Sequence, residues 1–241
     1  MQIVTVSFNS QAGNCHDYLL LKNVFRKSCE VNMPDAEFID YVIDAPEKEY
    51  GHAYNFTYNT IKLRIWRDHL KAAKENIIFA DCDMLCTKDA SSGFDLPFDI
   101  AYTSRTTVVR IPMNGGIIFA RPTDKAVQFL EKWSEINDRM YNDLDFHHQY
   151  RVQWAGMNQA AFGYLMEHPE EYDAKLHEYF TQEWNAVDCD WGRVDHNTKF
   201  IHYKSSLRKL VLRKCPPSAK YKTAIIKWNE MRHRLKMEDG I

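Results

Sequence analysis

The sequence predicts an α/β protein built on a mainly parallel sheet flanked by helices, and three observations carry that reading. Short apolar runs alternate with stretches whose apolar residues recur at helical spacing, the βαβ pattern of a parallel sheet with right-handed crossovers. The run Ile77-Ile78-Phe79-Ala80 is apolar throughout, as expected of a strand covered on both faces. That run ends abruptly in Asp81-Cys82-Asp83, at the strand end where open α/β sheets bind their ligands.

The elements follow in order. Val4–Phe8 is the first strand, and Tyr18–Phe25 is a helix with a broad apolar face of Leu19, Leu20, Leu21, Val24 and Phe25. Ala36–Ile43 is the second strand, and the polar, tyrosine-rich stretch from Ala45 to Tyr58 reads as a loop. A helix from about Thr60 to Ala73 sets Ile61, Ile65, Trp66, Leu70 and Ala73 on one face, just before the strand that ends at Asp81. Asn114-Gly115-Gly116 precedes a second buried strand, Ile117–Ala120, and its glycines let a ligand approach the backbone closely. Pro122 and Thr123 open a helix carrying Ala126, Phe129, Leu130, Trp133 and Ile136, and Asn158-Gln159 begins another helical piece, Ala160–Met166. Lys199-Phe200-Ile201 is a last strand-like run, ending in His202-Tyr203-Lys204. Pro216-Pro217-Ser218 caps a terminal amphipathic helix. The expected organisation is one domain over residues 1–215 and a basic helix over 216–241 packed on it.

Composition narrows the class. With 45% hydrophobic and 13% aromatic residues the chain has material for a sizeable core. Its amino terminus starts a strand at once, and no apolar run reaches membrane-span length. Six cysteines without a Cys-x-x-Cys pair give no zinc spacing, so they read as free thiols and the protein as cytoplasmic. The net charge of −2 hides an asymmetry: residues 202–241 hold eleven Lys/Arg against three Asp/Glu, leaving the body acidic. A basic end suggests an anionic ligand or partner, or a solvated helix face. The turn after the first strand, Asn9-Ser10-Gln11-Ala12-Gly13, is no dinucleotide fingerprint, and no Walker-type loop is present. Any phosphates bound here would therefore be held by a metal and cationic side chains.

Asp-x-Asp occurs at Asp81/Asp83, Asp143/Asp145 and Asp188/Asp190, and only the first follows a buried-strand pattern. Alternate residues of an extended chain point the same way, so Asp81 and Asp83 can converge on one hard cation. His147-His148 reads as structural rather than as a site.

Asp81-Cys82-Asp83, Asn114-Gly115-Gly116 with its following strand and helix, Glu183-Trp184-Asn185, and Phe200-Ile201-His202-Tyr203-Lys204 stand in the order found in GT-A fold glycosyltransferases. Together they resemble most the family-8-like nucleotide-sugar transferases, over roughly residues 1–210. The resemblance implies a GT-A fold, with a Rossmann-like, mainly parallel mixed sheet. It also implies a metal-dependent, retaining transfer of a hexosyl or pentosyl group from a nucleotide-sugar donor, a UDP-sugar in the first place, to a hydroxyl acceptor. Asp81, Asp83 and His202 would ligate Mn²⁺ or Mg²⁺, and that donor set suits a hard cation. Lys204, with Arg208 or Lys209 as a second cation, would face the diphosphate. Ser7 and Asn9 would contact the nucleoside, Lys62 the donor phosphate or sugar, Gly115 the donor, and Asn114 and Gln159 the transferred sugar. The family's glycine soon after the histidine is replaced by Ser205-Ser206, and Asn158 stands where many relatives carry an aspartate.

Other readings use fewer of these features. An inverting enzyme needs a carboxylate base, for which Glu183, Asp188 and Asp190 are candidates. A sugar-1-phosphate nucleotidyltransferase would start with a glycine-rich basic loop. A nucleotide-sugar-binding protein without turnover would have little use for the full set of aspartates, histidine and lysine. A nucleic-acid-binding module would leave the acidic body unexplained.

Overall fold

The computed structural model describes residues 1–9, 15–44, 54–105, 110–151, 156–212 and 219–238. Its main sheet has six strands in the order β2-β1-β3-β6-β5-β7. These are β1 (Gln2–Asn9), β2 (Glu37–Asp44), β3 (Ile77–Ala80), β5 (Ile100–Ser104), β6 (Met113–Ala120) and β7 (Leu176–Phe180). β4 (Met84–Cys86) leaves this sheet and pairs antiparallel with β8 (Phe200–His202). β1 runs parallel to β2 and β3, and β5 parallel to β7, whereas β6 is antiparallel to β3 and β5. The sheet is thus mixed and mainly parallel.

β3 is buried at all four positions. Ile77 and Phe79 face one core, which holds Trp66 stacked 5.1 Å from Phe79, while Ile78 and Ala80 face the other. A continuous apolar run is what two covered faces require. The first face is covered by α2 (Tyr54–Ala72), α3 (Asp124–Asn142), α4 (Leu144–Tyr150) and α5 (Met157–Glu167). Thr123 caps α3 by accepting a hydrogen bond from the Ala126 backbone N–H at 3.1 Å, and Asp124 adds a favourable charge to its first turn. The opposite face is covered by α1 (Cys15–Asn32). α6 (Thr181–Trp184) adds Trp184 to that second core, and α1 packs with α7 (Ser205–Val211) and α8 (Lys222–Glu238) against the β4–β8 pair in a third core.

Several expected boundaries shift. α1 is longer than its apolar face, and α2 begins within the stretch expected to be loop, its aromatics Phe56 and Tyr58 packing rather than looping. Asn114-Gly115-Gly116 lies inside β6 instead of in a turn before it, and β6 is antiparallel. Strands β4, β5 and β7, short and hidden among turn-like residues, went unread. The glycine-poor turn after β1, the proposed cap at Pro216-Pro217-Ser218 and the thiol of Cys215 lie outside the described residues. Cys29, Cys82, Cys86 and Cys189 are free, as expected. No described helix is long and apolar enough to cross a membrane.

Candidate active site

β3 ends at Ala80, and the Asp81 N–H still donates to the Gly116 carbonyl at 2.9 Å, continuing the pairing with β6 for one residue. The chain then turns into β4. Because Met84 pairs with His202 and the Tyr203 N–H donates to the Asp83 carbonyl at 2.7 Å, the second sheet clamps the histidine beside the aspartates. His202 Nε2 lies 3.2 Å from Asp83 Oδ1 and 3.6 Å from Asp81 Oδ2, and ligand atoms of all three side chains fall within 4.8 Å of one another. Two carboxylates and one imidazole so close together fit a hard or borderline divalent cation. Asp83 and His202 are buried. Burial pushes the Asp83 carboxyl up, but His202 and Arg208 outweigh it and hold it below the usual carboxylate range. The Cys82 thiol is pushed well up, by burial first and then by its two carboxylate neighbours, and so stays inert.

A cavity of about 340 Å³ opens beside this cluster. Of the expected residues it gathers Lys62, Asp81, Asn114, Gly115, Gln159, His202 and Lys204. Lys62 Nζ reaches Asp81 Oδ1 at 2.5 Å from α2. Gln159, in the first turn of α5, accepts from the Gly156 N–H at 3.2 Å and donates to the Met113 carbonyl at 2.6 Å, which fixes its amide at the cavity wall. Asn114 Oδ1 accepts from the Gly116 N–H and from Asn185 Nδ2, at 3.1 and 2.9 Å. The His202 ring packs against Gly116, where a Cβ would lie 2.6 Å from Nδ1; that nitrogen is buried without a hydrogen-bond partner among the described residues. Gly116 is thus the close approach that seats the histidine.

Four expected residues stand outside the lining: Asp83, behind Asp81 and His202, and Ser7, Asn9 and Arg208. Ser7 and Asn9 lie at the carboxyl end of β1, just past the point where Thr5 pairs with Ala80. Ser7 Oγ donates to Asp40 Oδ1 at 3.0 Å, and Lys22 neutralises Asp40 at 2.7 Å. Arg208 turns toward the metal cluster, 3.4 Å from Asp83 Oδ2, with its guanidinium hydrogen-bonded to the Tyr18 hydroxyl and over that ring. Burial and the nearby Asp83 push the Tyr18 hydroxyl far up, so it remains protonated. Lys204 Nζ faces Asp188 Oδ1 at 3.6 Å; burial, and then Arg105, lower its pKa. Ser205, in the stretch where the resemblance would place a glycine, takes φ +49°, a left-handed conformation that costs a non-glycine residue roughly 1–2 kcal/mol.

Sequence reasoning missed Asn59 and Gly156, and gave Asn185 a place in a motif but no role. Asn59 lines the cavity three residues before Lys62 on α2, and that helical spacing was the available signal. Asn185 is fully buried, donating to Thr103 Oγ1 and Asn114 Oδ1 at 2.8 and 2.9 Å. One member of each other Asp-x-Asp pair serves structure: Asp143 caps α4 through the Phe146 N–H, and Asp190 is buried against Arg193 and the Val187 N–H.

Solved structures share this architecture. A glycosyltransferase involved in glycosylation of the major capsid of PBCV-1 superposes with a TM-score of 0.62 at 13% identity, over 88% of this chain and all of that one. The galactosyltransferase LgtC, solved with donor and acceptor sugar analogues, gives 0.58 at 12% identity over 96% and 95% of the two chains. GlyE of Streptococcus pneumoniae TIGR4 gives 0.58 at 11% identity, over 99% of this chain and 63% of that one. These likenesses establish the GT-A fold. No curated protein matches the chain significantly. Residues 25–203, from α1 through the His202 strand, match the family described as nucleotide-diphospho-sugar transferases, and the chain belongs to that family of glycosyltransferases.

Proposed function

We propose that the protein transfers a hexosyl or pentosyl group from a UDP-sugar to a hydroxyl acceptor, with retention at the anomeric carbon and dependence on Mn²⁺ or Mg²⁺. The single observation that carries the reading is the convergence of Asp81, Asp83 and His202 beside a polar cavity walled by Lys62, Asn114, Gly115, Gln159 and Lys204. Asp81, Asp83 and His202 would hold the cation, which when bound would neutralise the diphosphate and favour its departure. Lys204 would add fixed positive charge where the leaving diphosphate gains negative charge, and a half-enclosed cavity strengthens that effect. Lys62 orients Asp81 and would meet a donor oxygen. Gln159 and Asn114, their amides fixed by backbone and side-chain bonds, would position the sugar. Ser7, held by Asp40, and Asn9 would meet the nucleoside, and Arg208 would shift from Asp83 to the diphosphate.

Retention is supported by the wall itself. Among the described residues Asp81 is the one carboxylate lining the cavity, and Lys62 occupies it. Of the candidate bases, Asp190 is buried and paired, Asp188 faces two cations, and Glu183 is exposed. The test is a thermal-shift panel of nucleotide sugars with and without Mn²⁺, followed by product stereochemistry. A donor at 100 times its dissociation constant adds about 2.7 kcal/mol of stability. No metal-dependent shift with any nucleotide sugar would refute the proposal.

A further inference from the structure

Beyond the cavity, two cations share one carboxylate oxygen. Arg105, immediately after β5, directs Nη2 toward Asp188 Oδ1 at 3.8 Å, and Lys204 Nζ faces the same oxygen at 3.6 Å. Both separations exceed a direct hydrogen bond. The Arg105 side chain is only 16% exposed, and its Nε is buried with no hydrogen-bond partner among the described residues. Asp188 is 57% exposed. The neighbouring charges are matched more tightly: Lys62 with Asp81, Arg208 with Asp83, and Arg193 with Asp190. Among the described residues around the site, once Lys204 is given to the donor, Arg105 is the cation left over, and a largely buried guanidinium with an orphaned donor is costly unless something pairs with it.

We propose that Arg105 determines acceptor specificity by receiving an anionic group, a carboxylate or a phosphate, carried on the acceptor sugar. This rests on the sugar-transfer reading above. Among the described residues Lys204 lines the cavity and Arg105 does not, so Arg105 stands outside the space a donor would fill and is linked to its wall through Asp188 and Lys204. A divalent cation balances the donor diphosphate, so neither consumes the charge on Arg105. Asp188, more than half exposed, holds the place of the acceptor anion and turns to solvent when the anion binds. The planar guanidinium fork matches a carboxylate or phosphate in two-point contact. A neutral acceptor leaves those donors unpaired, and sites built around buried hydrogen-bonding groups discriminate strongly against ligands that lack the partner.

The experiment uses the full chain with Mn²⁺ and the nucleotide sugar that gives the largest thermal shift. UDP release is measured with methyl β-D-glucoside, methyl β-D-glucuronide and glucose 6-phosphate, as acceptors or as inhibitors of donor hydrolysis. The expected result is a preference for one or both anionic compounds over the neutral one, and their ranking separates carboxylate from phosphate. Arg105→Gln lowers that preference about 10-fold or more, the scale of a charge-assisted hydrogen bond, while the donor KM holds. Arg105→Lys, which keeps the charge, retains part of the preference and guards against a folding defect. Equal response to neutral and anionic compounds in the wild type, or a rise in donor KM in Arg105→Gln, overturns the proposal. If Mn²⁺ and UDP themselves give no thermal shift, the sugar-transfer reading fails first, and the proposal with it.

Discussion

His202 Nε2 faces Asp83 Oδ1 at 3.2 Å from the end of a different strand, in register with Met84, the residue after that aspartate. More than 100 residues of chain separate the two, so the pair exists only when the small β4–β8 sheet has formed. In Asp83→Asn the shape persists and the charge goes. The variant loses at least 10–100-fold in Mn²⁺ affinity, the scale seen when metal-site support is removed, and loses metal-dependent transfer with it. Its unfolding free energy in urea falls modestly, by about 1–3 kcal/mol, because Arg208 and His202 lose a partner. Calorimetric titration with Mn²⁺ decides it: unchanged affinity in Asp83→Asn removes Asp83 from the metal site.

Gly116→Ala tests the seating of His202. The added Cβ would lie 2.6 Å from Nδ1 and 2.7 Å from Cε1 of the ring, so the ring must move. Overpacking of this kind costs about 1–3 kcal/mol, and displacement of a ligand lowers metal affinity while the sheet remains. Gly115→Ala is the contrast. Its Cβ would meet Asn158 Nδ2 at 3.0 Å, so donor KM changes and Mn²⁺ affinity does not. Equal metal affinities in the two variants would show that His202 is not held by Gly116.

Much of this site was legible because its chemistry sits on local patterns. A buried strand announces itself as Ile77-Ile78-Phe79-Ala80, and a carboxylate pair at its end needs no long-range information. Asn114, Gln159, His202 and Lys204 were found by their order and resemblance, and the fold brings them to one cavity. What escaped was set by tertiary packing. β4 and β8 are three residues each, and their pairing cannot be read from periodicity. Asn114-Gly115-Gly116 looks like a turn, yet β6 buries it because Gly116 must admit the His202 ring. Arg105 and Asp188 lie far apart in sequence and become one cluster only through the placement of β5 and the segment after α6.

His147 gives a pH test away from the site. It is buried against the Phe56 ring, 5.0 Å away, and both ring nitrogens lack hydrogen-bond partners among the described residues. Burial, then His148 and Arg151, lower its pKa to about 4. The folded value lies below the unfolded value of roughly 6.5, so the unfolded state binds the proton first. Stability present above pH 6.5 is therefore lost as pH falls toward 4, by roughly 2 kcal/mol at pH 5. His147→Phe removes this loss. Urea midpoints of wild type and variant at pH 7 and pH 5 check it, and an equal fall in both proteins would place the acid sensitivity elsewhere.

The terminal helix gives the last test, because its two faces do different things. Ala224, Trp228 and Met231 are buried, and Trp228 packs 5.0 Å from Tyr203, whose hydroxyl donates to the Ala224 carbonyl at 2.7 Å. Tyr203 lies between His202 and Lys204, so α8 buttresses the strand end that carries both. Trp228→Ala therefore destabilises by about 3–5 kcal/mol and weakens Mn²⁺ binding, although no atom of Trp228 reaches the cavity. The opposite face carries exposed Lys222, Arg234 and Lys236, while Lys227 and Arg232 are partly covered. Changing the three exposed cations to Gln should leave stability within about 0.5 kcal/mol. If this face binds a polyanionic acceptor, the same triple variant raises the acceptor KM and flattens its salt dependence, because contacts to a polyanion weaken steeply with salt. Acceptor and donor constants both unchanged would make these cations a solvated surface, and the anionic specificity would then rest on Arg105 alone.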